Sequence, residues 1–252
     1  MSFDVTADAY WRFMGRFSEP LAAIFSDTLG AAPGQRALDV GCGPGALTAR
    51  LAERLGAGSV CAVDPSATFV AATSARLPGV DVRQGTAEAL PHDDDAFDVV
   101  AAQLVVHFMN APVVGLQEMG RVARPGGTIG ACVWDHAGGT GPLAVFWDAV
   151  RDTDPGHPGE ADLPGTRAGH LGELATAAGL RVVDEPTLTV DVAFATFDDW
   201  WESFTLGVGP AGTHVAGLDE PARRALRTAC HDRLPEEPFT ITATAWCVLA
   251  RA

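Results

Sequence analysis

The chain has 252 residues, 47% of them hydrophobic, and a net charge of −15 at pH 7. That length suits one α/β domain with an elaboration, and no apolar stretch reaches the roughly 18 residues of a membrane helix. The acidic balance opposes a polyanionic substrate such as tRNA or DNA, and all 17 basic residues are arginine, which excludes lysine-based covalent chemistry such as pyridoxal phosphate attachment.

Met1-Ser2-Phe3-Asp4 carries no positive region, which argues against a secretory signal. Residues 1–30 read as helical, with Tyr10, Trp11, Phe13 and Phe17 near the start. A Rossmann-like core is expected over 35–135. Its strands end near Val40, Val63, Arg83, Ala102 and Val133, and helices such as Ala111–Val122 fill the gaps. This alternation predicts a parallel sheet covered on both faces. Beyond Trp134 the pattern predicts a turn at 138–142, a short helix over Leu143–Arg151 and a loop over Thr153–Gly165. A helix over Gly169–Ala178 follows, capped by Gly179. Val182–Val192 and Phe239–Leu249 read as strands, and Thr196–Arg233 reads as an insertion with two helical stretches. Cys42, Cys61, Cys132, Cys230 and Cys247 are scattered, with no metal-ligand spacing. They suit a reducing cytoplasm, and no metal site is predicted.

The most informative run is Leu38-Asp39-Val40-Gly41-Cys42-Gly43-Pro44-Gly45, which reads as a strand, a tight turn and the start of a helix. Glycines there let the backbone turn sharply and approach a ligand, and the helix opening presents free N–H groups and a positive dipole end. Asp64 closes the next apolar run, where an acid can accept both hydroxyls of a ribose. An adenosine-containing cofactor follows from this pair. Gly41-x-Gly43-x-x-Ala46 also satisfies the dinucleotide fingerprint, so a nicotinamide cofactor fits this segment taken alone.

The segments that follow decide between the two. Asp39–Gly45 closely resembles motif I of class I S-adenosylmethionine (SAM)-dependent methyltransferases. Ala62–Ser66, Gln84–Pro91 with Phe97–Val100, and Arg121–Gly127 resemble later motifs of that family in the same order. The resemblance is to the small-molecule branch that includes ubiquinone/menaquinone C-methyltransferases and natural-product methyltransferases. It covers about 10–135 well. It implies a Rossmann-like parallel sheet closed by an antiparallel strand, with helices on both faces and a helical lid over 196–233.

It further implies SAM as cofactor and a small organic acceptor methylated at O, N or C, with a role in secondary metabolism. No nucleic-acid or membrane partner is implied, and the protein would be a monomer or homodimer. A SAM-binding protein of the same fold that catalyses another reaction or senses SAM is the main alternative, ahead of a nicotinamide oxidoreductase. Cofactor contacts are expected from Asp39, Gly41, Gly43, Gly45, Asp64 and Pro65. Phe69 stands where the family often has an adenine-packing methionine. Thr86 replaces a common aspartate, which leaves the backbone at Ala87. Gln103 follows the fourth strand, near where the methionine part of the cofactor would lie. Tyr10 is expected to fold over the cofactor with its segment, and Arg16 to clamp the SAM carboxylate.

Methyl transfer needs an acceptor held in line, with a base where the acceptor must lose a proton. His107, His136, His214 and His231 are candidates, and His136 and His107 lie nearest the strand ends. Trp200, Trp201 and Phe204 form an aromatic stripe at helical spacing that is read either as core or as a substrate wall.

Overall fold

Runs of small and branched apolar residues bounded by glycine-rich turns form the centre of the sheet. In the computed structural model, which describes residues 6–252, they are β1 (Ala37–Val40), β2 (Val60–Asp64), β3 (Asp81–Gln84), β4 (Phe97–Gln103) and β5 (Ala123–Trp134). All five run parallel in the order β3-β2-β1-β4-β5. β1 and β2 are buried along their whole length, as strands covered on both faces must be.

Helices α3 (Ala46–Leu55), α4 (Ala67–Arg76) and α5 (Pro112–Val122) make the crossovers. β1 is followed in the chain by its neighbour on one side, and its other neighbour is β4. The order therefore reverses between β1 and β4, and a crevice opens above their carboxyl ends.

β8 (Phe239–Arg251) closes the sheet antiparallel to β5, pairing Ala245–Arg251 with Trp134–Thr128. Its first half runs on past the end of β5. There it pairs only with β7 (Thr187–Phe194), so a two-stranded ribbon rises above the sheet. β7 alternates exposed and buried residues along its length and packs its inner face on α2 (Arg16–Leu29).

Two expectations need correction here. The single strand read over 182–192 is two, β6 (Arg181–Asp184) and β7, both on the same edge of β8. Pro186 lies between them and has no N–H to offer a ladder, though its carbonyl still accepts from Cys247 N. The insertion holds three α-helices and a 3-10 turn. These are α8 (Phe197–Trp201) running into Glu202–Leu206, then α9 (Gly209–Gly217), then α10 (Glu220–His231).

Residues 1–5 lie outside the described residues. From Thr6 the chain is helical: α1 (Ala7–Tyr10), a π-helical turn (Trp11–Gly15) and α2 form one rod that ends at Gly30. A Cβ on Gly15 would lie 2.4 Å from the Trp11 ring, so glycine lets that indole fold back on the helix. The rod covers one face of the sheet through Phe17, Leu21, Phe25 and Leu29, in an apolar cluster shared with α3, α6 (Ala144–Thr153) and the insertion. α5 and α7 (His170–Ala177) cover the other face through Leu116, Met119, Val122, Leu171 and Ala175.

Candidate active site

The turn after β1 is built to bring backbone close to a ligand. Gly41 and Gly43 have φ of +70° and +53°, values that side chains disfavour. A Cβ on Gly41 would meet Val105 at 2.5 Å, whereas one on Gly43 would meet nothing within 4 Å. Gly43 therefore faces open space, and that space is the crevice. Gly41 N and Cys42 N both donate to Val63 O, at 2.7 and 3.0 Å. Thr73 Oγ1 donates to Gly43 O at 2.8 Å. Gly45 precedes α3 as its N-cap, and no side chain caps the helix.

Asp64 ends β2 against this turn and is only 6% exposed. Its Oδ2 accepts from Gly43 N and its Oδ1 from Ser66 N, each at 2.8 Å. Burial pushes its carboxyl up, and the two N–H bonds partly oppose that. Ser66, not Asp64, caps α4. Asp39 lies deeper, where burial pushes its carboxyl up to about 7 despite a 2.6 Å hydrogen bond donated by Thr48 Oγ1.

A cavity of about 560 Å³, the size of a cofactor or drug-sized ligand, lies above these strand ends. Tyr10, Met14 and Ser18 close it from the N-terminal rod, and Val208 and Pro210 close it from the insertion. Of the residues expected to bind the cofactor, Tyr10, Asp39, Gly41, Gly43, Asp64, Pro65, Phe69, Thr86, Ala87 and Gln103 line it. Tyr10 and Phe69 meet edge to face at 5.5 Å. Gly45 does not line the cavity; it shapes the turn and packs against Thr73.

Arg16 corrects a prediction. Its guanidinium donates twice to the Asp199 carboxylate, at 2.8 and 2.9 Å, and stacks 4.2 Å over the Phe194 ring. It is thus held outside the cavity and supplies no carboxylate clamp there. Among the described residues no arginine lines the cavity. The aromatic stripe is likewise core: Trp200, Trp201 and Phe204 are buried in the apolar cluster and do not line the cavity. His214 packs on Trp147, and His231 packs on Phe197, away from the site.

Three buried polar atoms on the cavity wall have no hydrogen-bond partner: Ser18 Oγ, Gln103 Oε1 and His107 Nδ1. Such atoms are rare in proteins and mark where a polar ligand would complete the structure. Leu104, also on the wall, holds a left-handed φ of +61°, the kind of backbone strain that clusters at functional sites. A left-handed leucine and an unpartnered serine hydroxyl leave no mark in sequence.

On the wall of the same cavity His107 and His136 converge with Glu160 from the 153–165 loop. One potential ligand atom from each lies within 4.8 Å of the other two. This revises the expectation of no convergent donors, which rested on spacing along the chain. The two imidazole rings are 6.0 Å apart, and Trp147 Nε1 donates to Glu160 Oε2 at 3.0 Å. Burial and the neighbouring His136 hold His107 well below the usual histidine range, and burial brings His136 down to about 4. Burial also pushes the Glu160 carboxyl up to about 7. Both imidazoles are therefore neutral at pH 7 and carry a free lone pair.

Comparison with known proteins agrees with this geometry. Residues 38–131 match a family model described as a methyltransferase domain. The chain is 41% identical over 135 residues to the uncharacterized methyltransferase Mb3374 of Mycobacterium bovis, covering 54% of this chain and 52% of that one. It is 38% identical over 135 residues to the demethylmenaquinone methyltransferase of Renibacterium salmoninarum, covering 53% and 54%. The chain thus spans about half the length of these relatives. In fold it is similar to the YcgJ protein of Bacillus subtilis, with a TM-score of 0.57 at 19% identity over 92% of this chain and 97% of that one.

Proposed function

We propose that the chain is a class I SAM-dependent methyltransferase that transfers the SAM methyl group to a small organic acceptor at an oxygen, nitrogen or carbon atom. One observation carries this reading above the others. One cavity is lined both by the Gly43–Asp64 turn and by two neutral imidazoles.

The wall residues fit the cofactor part by part. Asp64 would accept the ribose hydroxyls in charge-assisted bonds. Tyr10 and Phe69 would enclose the adenine, with Thr86 and the Ala87 backbone at its edge. Ser18 Oγ and Gln103 Oε1, both short of partners, face the space left for the methionine part. With no arginine there, the free N–H groups at the start of α3 are the positive end available to a carboxylate. Bound SAM supplies a methyl group on a positive sulfonium, and the protein has to align an acceptor behind it. His107 and His136 share that cavity, and either lone pair would serve as the base that takes the acceptor's proton.

The N-terminal rod and the 196–233 insertion are proposed as the lid that selects the acceptor. A small molecule suits a cavity of this size and a net charge of −15, and a nucleic acid does not. No described helix is long and apolar enough to cross a membrane. The five cysteines are free and buried, which supports a reducing, cytoplasmic setting, and a role in secondary metabolism belongs to the same proposal.

The test is methyl-labelled SAM offered with a panel of phenolic, enolic and amine acceptors. Label in an acceptor, with demethylated SAM accumulating in step, is the expected result. SAM binding without transfer to any class would move the reading to a SAM sensor or a non-methylating enzyme.

A further inference from the structure

We propose that His107, His136 and Glu160 form a binding site for one divalent first-row transition metal ion, with zinc the best match, on the wall of the cavity. Three donor atoms no more than 4.8 Å apart have a common centre within about 2.8 Å of each. Moves of about 0.7 Å per side chain then reach the bond lengths of about 2.0–2.2 Å that zinc makes to imidazole and carboxylate.

The donors converge without bonding to one another. Neither imidazole has a hydrogen bond to another side chain, and His107 Nδ1 is 95% buried with its residue and unpartnered. A network evolved to satisfy its own members would have closed these gaps. Glu160 is instead steadied from behind by the Trp147 indole N–H, the arrangement expected of a group that orients a ligand carboxylate.

Two imidazoles and one carboxylate suit zinc, iron or manganese, and not magnesium or calcium, which prefer oxygen alone. Three protein ligands on a cavity wall leave a position open, as in catalytic sites, whereas a structural zinc cage would have a fourth protein ligand. Resting on the methyltransferase reading, this narrows the acceptor to one that presents an oxygen to the ion, such as a phenol or an enol. With both imidazoles held as ligands, the ion would lower the pKa of that oxygen so that its proton leaves to water before methyl transfer, in place of a histidine base.

Cobalt(II) is the probe, because its visible absorption reports coordination directly and independently of turnover. Untagged protein should bind one equivalent, with bands that zinc abolishes and magnesium leaves unchanged. His107→Ala, His136→Ala and Glu160→Gln should each weaken cobalt at least tenfold. Trp147→Phe, which removes only the N–H behind Glu160, should weaken it about 10- to 100-fold. Melting curves identify any variant that fails to fold, and the wild-type titration decides the matter without them. No cobalt spectrum in the wild type, or a spectrum untouched in every folded variant, overturns the proposal. SAM titrated in parallel keeps the two readings apart: SAM binding without cobalt sinks the metal site alone, and cobalt binding without SAM sinks the methyltransferase reading alone.

Discussion

Asp64 holds two backbone N–H groups, so its loss should be felt twice. Its carboxylate fixes the Gly43 turn and, in the proposed function, accepts the ribose hydroxyls. Asp64→Ala removes charge-assisted bonds of about 1.5–3 kcal/mol and should weaken SAM about 10- to 100-fold in calorimetry. Unchanged affinity in a folded variant would refute the assignment. Asp39 gives a pH signature. Its buried carboxyl titrates near 7, above its unfolded value, so the stability it contributes is complete below about pH 4 and is lost as pH rises through 7. Asp39→Asn, still able to accept from Thr48, should therefore lose less melting temperature than the wild type between pH 5 and 8, by about 2–4 °C for each kcal/mol involved. Equal slopes would mean that Asp39 ionises normally. These two residues were legible because the turn chemistry is local: glycines, strand end and acid are all set by near neighbours. Arg16 was not. Its partner Asp199 lies 183 positions away, and nothing nearby in sequence shows a guanidinium already engaged. Glu160 was missed because it sits in a stretch that reads as a solvated loop and yet is buried by Trp147.

The elements divide in the same way. Strands β1 to β5 and the crossover helices follow from hydrophobic runs and glycine punctuation, and they lie where those signals put them. The edge beyond β5 does not, since the break at Pro186 and the overshoot of β8 depend on which strand pairs with which. The insertion is helical as read, but its aromatic stripe points into the core. Trp200 is 1% exposed and stacks among Phe197 and Phe204. Trp200→Ala should cost about 3–5 kcal/mol, a fall in melting temperature on the order of 10 °C. The pair joining α2 to α8 behaves differently. Arg16 and Asp199 are both partly exposed, so the ion pair stabilises by no more than about 1 kcal/mol. Arg16→Ala should leave SAM affinity within about threefold. A tenfold loss would show that the guanidinium reaches the cofactor after all.

At the scale of the whole molecule, the site belongs to no single element. The parallel sheet supplies the cofactor end, the rod closes it through Tyr10 and Ser18, and the insertion closes it through Val208 and Pro210. A ligand seated among all three is bound only by the folded chain, so its affinity adds to global stability. At about 100 times its dissociation constant it contributes roughly 2.7 kcal/mol. For a chain of this size that corresponds to a rise in melting temperature of about 5–11 °C. SAM and its demethylated product should both produce this rise, because the ribose, adenine and methionine groups proposed to meet Asp64, Phe69 and Gln103 are common to the two. NAD should not, although Gly41-x-Gly43-x-x-Ala46 fits its fingerprint, since residues 38–131 match a methyltransferase domain. A melting scan with each ligand at matched concentration reads the difference. A shift with NAD and none with SAM would hand the site to a nicotinamide cofactor and overturn the reading of the turn on which the rest depends.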